Sequence, residues 1–199
     1  MTEENNAHHP LPTPEILKAA GQKNFPELVR LRRHFHENPE LGFGEFRTSA
    51  HIADLMEGLG LEVRRSVAQT GVVALLRGGK PGKTVAIRAD IDALPVQELN
   101  DVPYKSKTPG KMHACGHDVH ITAAIGAAML LAQHRESLAG NVKFIFQPAE
   151  ETPGGAEPMI QDGALENPKV DAIVGGHVWG SLDSGVVEVL PGPIMASSD

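Results

Sequence analysis

The sequence predicts an α/β fold with a mostly parallel sheet flanked by helices. Short β-branched segments bounded by glycine, proline and lysine are typical of strands. From Thr84 onward these segments alternate with helical ones, which favours right-handed crossovers and parallel strands. The longest helical segment, residues 116–137, is small and apolar nearly all round, so it is expected to be buried against the sheet.

Two helices are predicted before the alternating region. Apolar residues recur at helical spacing downstream of Pro26, so the first helix is expected to run from Pro26 to Asn38. His36 lies beside arginines in this helix and is expected on a solvated face. A second helical pattern covers residues 44–60 and ends in glycines. Residues 1–14 carry three prolines and little apolar pattern, so they are expected to be a loose tail.

The predicted strands are short, and the segment that contains His177 is expected to be a buried strand. A short helix is predicted over residues 154–165, between two of the strands. The strand segments are residues 61–67, 71–78, 83–90, 141–150, 170–178 and 185–190.

Charge and composition exclude several classes of protein. The formal net charge is -7, which gives no electrostatic support to a nucleic-acid partner. No apolar run approaches the roughly 20 residues that cross a bilayer, so no membrane partner is expected. A single cysteine excludes an internal disulfide. The acidic, polar start lacks the features of a secretory signal, so a cytoplasmic location is expected.

Cys115 and His117 form a Cys-x-His pair at the start of the long predicted helix. Thiolate and imidazole are common zinc ligands, and an extended turn can present both to one metal ion. The alternative is that Cys115 is a small buried apolar residue and that His117 only begins the helix.

Glu150 and Glu151 follow the apolar run VKFIFQ of one predicted strand, and His177 follows the run AIVGG of the next one. Adjacent carboxylates at a strand end point in different directions, so one can bind metal while the other faces the substrate as a base. A solvated acidic loop and a histidine hydrogen-bonded in the core are the alternatives. In open α/β sheets, sites gather beyond the carboxyl ends of the strands, and the joint pattern therefore favours a metal site.

Other polar residues near these strand ends are candidates for supporting roles. A metal-bound histidine usually donates its second N–H to a carboxylate. Asp90, Asp92 and Asp118 are candidate acceptors, although a turn or a helix cap would explain them equally well. His113 and His120 remain open, since His120 lies three residues after His117 and could share its helix face.

Five segments together resemble one family of enzymes. They are RRHFHENPELGFGE, IRADIDALPVQE, MHACGHDVH, FIFQPAEE and GGHVWG. In this order they resemble the bacterial and plant amidohydrolases of the hippurate hydrolase, N-acyl-amino-acid amidohydrolase and indole-acetyl-amino-acid hydrolase type. These enzymes belong to the aminoacylase and glutamate-carboxypeptidase superfamily of dinuclear metallohydrolases.

The resemblance implies a zinc-peptidase-like catalytic domain with two divalent metal ions. Cys115, His117, Glu151 and His177 would be metal ligands, and Glu150 would be the general base. Zinc or manganese is expected, with cobalt or nickel as alternatives. The implied activity is hydrolysis of the amide bond of small N-acyl amino acids.

The resemblance also implies that this chain is the N-terminal part of a longer protein. Members of the family run to roughly twice its length, with a final metal-binding histidine and an inserted domain that contributes to homodimers. Residues 15–190 would then be the N-terminal portion of the catalytic domain, and residues 191–199 the start of the link to the inserted domain. A weakly active fragment is therefore expected.

Two other functions stay open at this point. The chain could be a non-catalytic metal-binding fragment. It could also be a cysteine hydrolase, with Cys115 as the nucleophile and a histidine as its base. Sensitivity to chelators separates a metalloenzyme from a thiol enzyme.

Overall fold

The computed structural model describes residues 12–152 and 154–193. Helices and strands alternate from residue 80 onward, as predicted. The elements are α1 (Pro14–Glu37), α2 (Phe46–Gly58), β1 (Glu62–Val67), β2 (Gly71–Arg77), β3 (Lys80–Asp90), α3 (His117–Gln133), β4 (Ala139–Gln147), α4 (Ala156–Gln161) and β5 (Ala172–Gly175), with a 3-10 turn at Arg135–Ser137.

Within the described residues, the strands form one sheet in the order β1-β2-β4-β3-β5. Strand β3 is parallel to both of its neighbours, β4 and β5. Strand β2 is antiparallel to β1 and β4. The α/β class with flanking helices is confirmed, and β3, β4 and β5 are parallel as predicted, whereas β2 is antiparallel to both of its neighbours and makes the sheet mixed. The reason is that β1 and β2 are joined by a tight turn at residues 68–70, which only antiparallel strands allow.

The two faces of the sheet carry different cores, because successive side chains of a strand point to opposite faces. The larger core lies between the sheet and helices α1, α2 and α3, and it includes Val72, Phe144 and Ile121. A smaller core on the other face joins Val73 and Ile145 to the α4 region. Helix α3 is thereby fixed against the sheet, with its first turns buried.

The first helix begins earlier than predicted. Thr13 caps α1, since its side-chain oxygen accepts a hydrogen bond from the N–H of Ile16 at 3.4 Å, and Pro14 fits the first turn. Pro26 lies inside the helix and does not start it. Tertiary packing of Leu31 on the core outweighs the hydrogen bond that a proline removes. Residues 1–11 of the predicted tail lie outside the described residues.

Two predictions about the last strands were wrong. Strand β5 is exposed along its length, because it lies at the edge of the sheet beside β3 alone. Residues 185–190 form no strand, since no described neighbour pairs with them. None of the helices in residues 12–152 and 154–193 is long and apolar enough to cross a membrane.

Candidate metal centre

The carboxyl ends of β3, β4 and β5 lie side by side, because these strands are parallel neighbours. Asp90 at the end of β3 is paired with Gln147 at the end of β4, and Arg88 is paired with Gly175 at the end of β5. The residues that follow each strand therefore meet at one edge of the sheet. This is the arrangement that the order of elements predicted.

The start of α3 closely approaches the loop after β5. Gly116 precedes the helix with a φ of 88°, a conformation that glycine adopts without steric cost. A Cβ at Gly116 would lie 2.4 Å from Cγ2 of Val178. The missing side chain lets the two segments come together, and this brings Cys115 next to His177.

The turn that carries the two glutamates is held in place by contacts with neighbouring segments of the chain. Ala149 has a φ of 48°, and its N–H donates to Oε1 of the buried Glu45 at 2.9 Å. Gly42 leaves room for this turn, since a Cβ at Gly42 would lie 3.0 Å from Cα of Ala149. Oδ2 of Asp92 accepts the N–H of Glu151 at 3.0 Å. These contacts fix the backbone of the Glu150-Glu151 pair against the end of β3.

All five side chains predicted to carry the chemistry converge at this edge. Sγ of Cys115 lies 3.4 Å from Nε2 of His177. Nε2 of His117 lies 3.7 Å from Oε1 of Glu151 and 3.9 Å from Oε2 of Glu150. Two groups, Cys115 with His117 and His177, and His117 with Glu150 and Glu151, each have donor atoms within 4.8 Å of one another. The structure therefore brings the predicted residues together.

Both histidines in the cluster direct a lone pair inward. Nδ1–H of His117 donates to the carbonyl oxygen of Asp92 at 2.9 Å, and a carboxylate oxygen of the same residue lies 3.3 Å away. Nδ1–H of His177 donates to the carbonyl oxygen of Val178 at 2.6 Å. Nδ1 of each ring is engaged in this way, which leaves Nε2 as the atom available to a metal ion.

The donor atoms fit a bound cation. Nε2 of His117 and Oε1 of Glu151 are buried, and neither has a hydrogen-bond partner within residues 12–152 and 154–193. Buried polar atoms are rarely left unpaired, and an imidazole, a thiolate and a carboxylate are the ligands that zinc takes in proteins. Burial opposes a positive charge here, but the hydrogen bond to Asp92 and the charges of Asp90 and Asp92 raise the pKa of His117.

The surroundings of Cys115 disfavour a cysteine nucleophile. Burial, the adjacent carboxylate of Glu151 and the negative charges of Glu150 and Asp90 raise the pKa of the Cys115 thiol to about 12. A nucleophilic cysteine needs a depressed pKa, which nearby positive charges provide. A cation among these carboxylates would reverse the effect and hold the thiolate.

Three aspartates near the cluster have different partners. Asp92 accepts from His117, and Oδ1 of Asp90 accepts from Nδ1 of His120 at 2.6 Å. Both strand-end aspartates therefore orient a histidine of α3. Asp118 is fully buried, accepts a hydrogen bond from His36 of α1, and lies 3.1 Å from Nε of Arg32 in an ion pair.

A buried polar network that the sequence did not predict joins His36 of α1 to Asp118 of α3 and to Glu98. His36 is 3% exposed, which corrects the expectation of a solvated face. Its Nδ1 donates to Asp118 at 2.6 Å, and its Nε2 lies 3.2 Å from Glu98. The only local signal was the position of His36 next to Phe35 on the apolar side of α1. His113 is also buried and lies outside the groups described above.

Comparison with known proteins gives concordant matches. A sequence model described as Peptidase family M20/M25/M40 matches residues 86–192, more than half of the chain. The chain is 49% identical over 175 residues to thermostable carboxypeptidase 2 of Saccharolobus solfataricus, covering 86% of this chain and 44% of that protein. It is 42% identical over 189 residues to an N-acyl-L-amino acid amidohydrolase of Geobacillus stearothermophilus, covering 94% and 50% respectively.

A solved structure shares the fold. The YXEP protein of Bacillus subtilis, described as a dinuclear metal binding peptidase from the M20 family, superposes with a TM-score of 0.75 at 45% identity. The match covers 83% of this chain and 45% of that one. The chain thus spans about half the length of the relatives that it matches.

Proposed function

Since the chain belongs to the peptidase family M20/M25/M40, we propose that it forms the metal-binding part of an amidohydrolase acting on N-acyl amino acids. The products would be a carboxylic acid and an amino acid. The main observation is the convergence of a thiol, two imidazoles and two carboxylates at one sheet edge. The name of the amidohydrolase relative supports the substrate class. The proposal concerns the whole protein, of which this chain would be about half.

Four side chains would hold two divalent cations in this proposal. Cys115, His117, Glu151 and His177 are the proposed ligands, since their donor atoms lie in the overlapping groups described above. The thiolate and imidazoles favour zinc, and the carboxylates leave manganese open, with cobalt and nickel as further possibilities. Such cations supply Lewis-acid activation of water and of an amide carbonyl.

Glu150 is the proposed general base. Its side chain is 40% exposed, whereas that of Glu151 is 22% exposed, so Glu150 is the more accessible to water and substrate. Oε2 of Glu150 would take a proton from the attacking water and pass it to the nitrogen of the leaving amine. The backbone contacts that hold the Ala149 turn would keep this carboxylate in place.

Two clefts beside the cluster offer room for the two halves of a substrate. One has a volume of about 580 Å³ and is lined by His177 and Trp179. The other has a volume of about 440 Å³ and is lined by Cys115, Trp179 and Tyr104. Both contain apolar and polar side chains, as ligand sites usually do. An amide bond held between them would lie beside the proposed ligands.

The test compares Glu150→Gln with Glu157→Gln, an exposed glutamate on α4 that serves as a matched control. Metal content is measured by elemental analysis on protein purified without chelator, and turnover on N-acetyl, N-benzoyl and indole-acetyl amino acids. Glu150→Gln should keep the metal and lower turnover by about 10²- to 10⁴-fold, while Glu157→Gln changes neither. Full turnover in Glu150→Gln would refute the base assignment.

The other functions give different results in the same assays. A thiol enzyme keeps its activity in chelator and loses it in Cys115→Ser. A non-catalytic metal-binding chain binds metal but hydrolyses none of the substrates. In the proposed enzyme, chelator abolishes turnover and added metal restores it. Gel filtration of the longer protein tests the homodimer predicted from the resemblance.

A further inference from the structure

His120 uses both of its ring nitrogens in buried hydrogen bonds. The N–H of Val178 donates to Nε2 of His120 at 3.0 Å. Because Nε2 accepts, it carries no proton, and Nδ1 therefore carries the proton that is donated to Asp90 at 2.6 Å. The two contacts together fix one neutral form of the ring.

The sheet holds the other end of this chain of hydrogen bonds. Oδ2 of Asp90 accepts from Nη1 of Arg88 at 2.6 Å, and Nε of Arg88 donates to Gln147 at 3.0 Å. Asp90 is 1% exposed and His120 is 7% exposed. Strands β3 and β4 are therefore connected, through Asp90 and His120, to the backbone of the loop that follows β5.

That loop has few other connections to the protein. Among the described residues, segment 176–193 is hydrogen-bonded to the rest of the chain at two points, Val178 to His120 and His177 to Cys115. The second of these is the proposed metal contact itself. The ring of His120 also packs on that of His177, with the ring centroids 4.6 Å apart. His120 therefore contacts this loop twice, at the backbone of Val178 and at the ring of His177.

We infer that His120 is a positioning residue, which holds the backbone of Val178 and thereby places Nε2 of His177 beside Cys115. This inference rests on the proposed function, in which His177 and Cys115 bind metal. It also assigns a role to a histidine that could be mistaken for a ligand, since Asp90, His117 and His120 have donor atoms within 4.8 Å of one another. The lone pair of His120 is already occupied by the N–H of Val178.

Two isosteric substitutions separate the two bonds of His120. In His120→Gln, the side-chain oxygen can reach the position of Nε2 and accept from Val178. In His120→Asn, the shorter amide can replace Nδ1 and donate to Asp90, but it cannot reach Val178. Thr122→Val is the control, because Thr122 lies in the same helix, is also 7% exposed, and, within the part of the chain that the structure describes, donates only to the carbonyl oxygen of Asp118.

Cobalt(II) is the probe, since a bound thiolate gives it a charge-transfer absorption that reports directly on Cys115. We expect His120→Asn to weaken the site that shows this absorption by about 10- to 100-fold, as loss of a group supporting a metal ligand does. His120→Gln and Thr122→Val should bind within a few-fold of the wild type. Thermal unfolding of each variant without metal verifies that the chain is folded.

Three results would contradict either this inference or the proposed function on which it rests. Unchanged binding in His120→Asn would show that His177 does not depend on His120. Equal losses in the Gln and Asn variants would make His120 a ligand. An absence of cobalt absorption in the wild type would instead overturn the proposed metal site, and this outcome is distinct from the other two.

Discussion

Replacing Gly116 by alanine should damage both stability and metal binding. The residue has a φ of 88° and a ψ of 16°, a left-handed conformation that costs an alanine about 1–2 kcal/mol. The new Cβ would also lie 2.4 Å from Cγ2 of Val178. Valine is stiff at χ1, so its backbone has to move. That movement stretches the hydrogen bond from Val178 to His120.

The expected size follows from these two effects. Conformational strain alone should lower the melting temperature by about 2–8 °C, since 1 kcal/mol corresponds to about 2–4 °C in a domain of this size. The contact with Val178 adds to this loss. Displacement of His177 should weaken cobalt(II) binding by about 10-fold or more.

A double-mutant cycle isolates the contact between the two residues. Val178→Ala removes Cγ2, so Gly116→Ala combined with Val178→Ala should keep the conformational strain but lose the collision. Thermal unfolding and cobalt titration of the four proteins give the coupling energy, which we expect to be favourable by about 0.5–3 kcal/mol. Strict additivity would refute the argument that Gly116 makes room for the His177 loop.

Three further changes test other parts of the structure. Lys143→Met should cost about 2 kcal/mol or more in urea unfolding, because Nζ of the buried lysine donates to three carbonyl oxygens of residues 164–168; an unchanged midpoint would contradict this. The hydrogen bond to Asp118, and after it the one to Glu98, raises the pKa of His36 above 6.5, although burial and Arg32 oppose the shift. The protonated His36 therefore stabilises the folded chain fully below about pH 6.5, and this stabilisation is lost as the pH rises through the raised pKa. The difference in unfolding free energy between the wild type and His36→Gln, measured without metal, should therefore shrink above pH 6.5, and a gap that widens there would oppose it. Removing metal with chelator should lower the melting temperature, and zinc at 100 times its dissociation constant should restore about 2.7 kcal/mol; an insensitive melting curve would exclude a metal site in the folded chain.

The sequence was most informative where a local pattern and a chemical requirement agreed. The order of strands and helices after Thr84 is sufficient to place Glu150, Glu151 and His177 at the same edge of the sheet, after strands that lie on either side of β3. Cys115 and His117 joined them because a helix that packs on a parallel sheet begins at the same edge. These positions depend on topology, which the alternation of elements specifies.

What the sequence could not supply depends on distant contacts. The burial of His36 is not predictable from its neighbours, because its partners, Asp118 and Glu98, lie 82 and 62 residues further along the chain. The start of α1 was misplaced because Pro14 and Pro26 both fit a first turn, and only the packing of Leu31 and its neighbours decides between them. The exposure of β5 follows from its edge position, which the apolar residues of the segment do not reveal.

The support of Ala149 by Glu45 makes one amide a reporter of a remote helix. Glu45 immediately precedes α2, and its carboxylate is the acceptor for the Ala149 N–H. Deuterium can replace that proton only when α2 separates from the sheet or the turn itself opens. The hydrogen-exchange rate of the Ala149 amide thus measures how often its hydrogen bond to Glu45 breaks, beside the proposed general base Glu150.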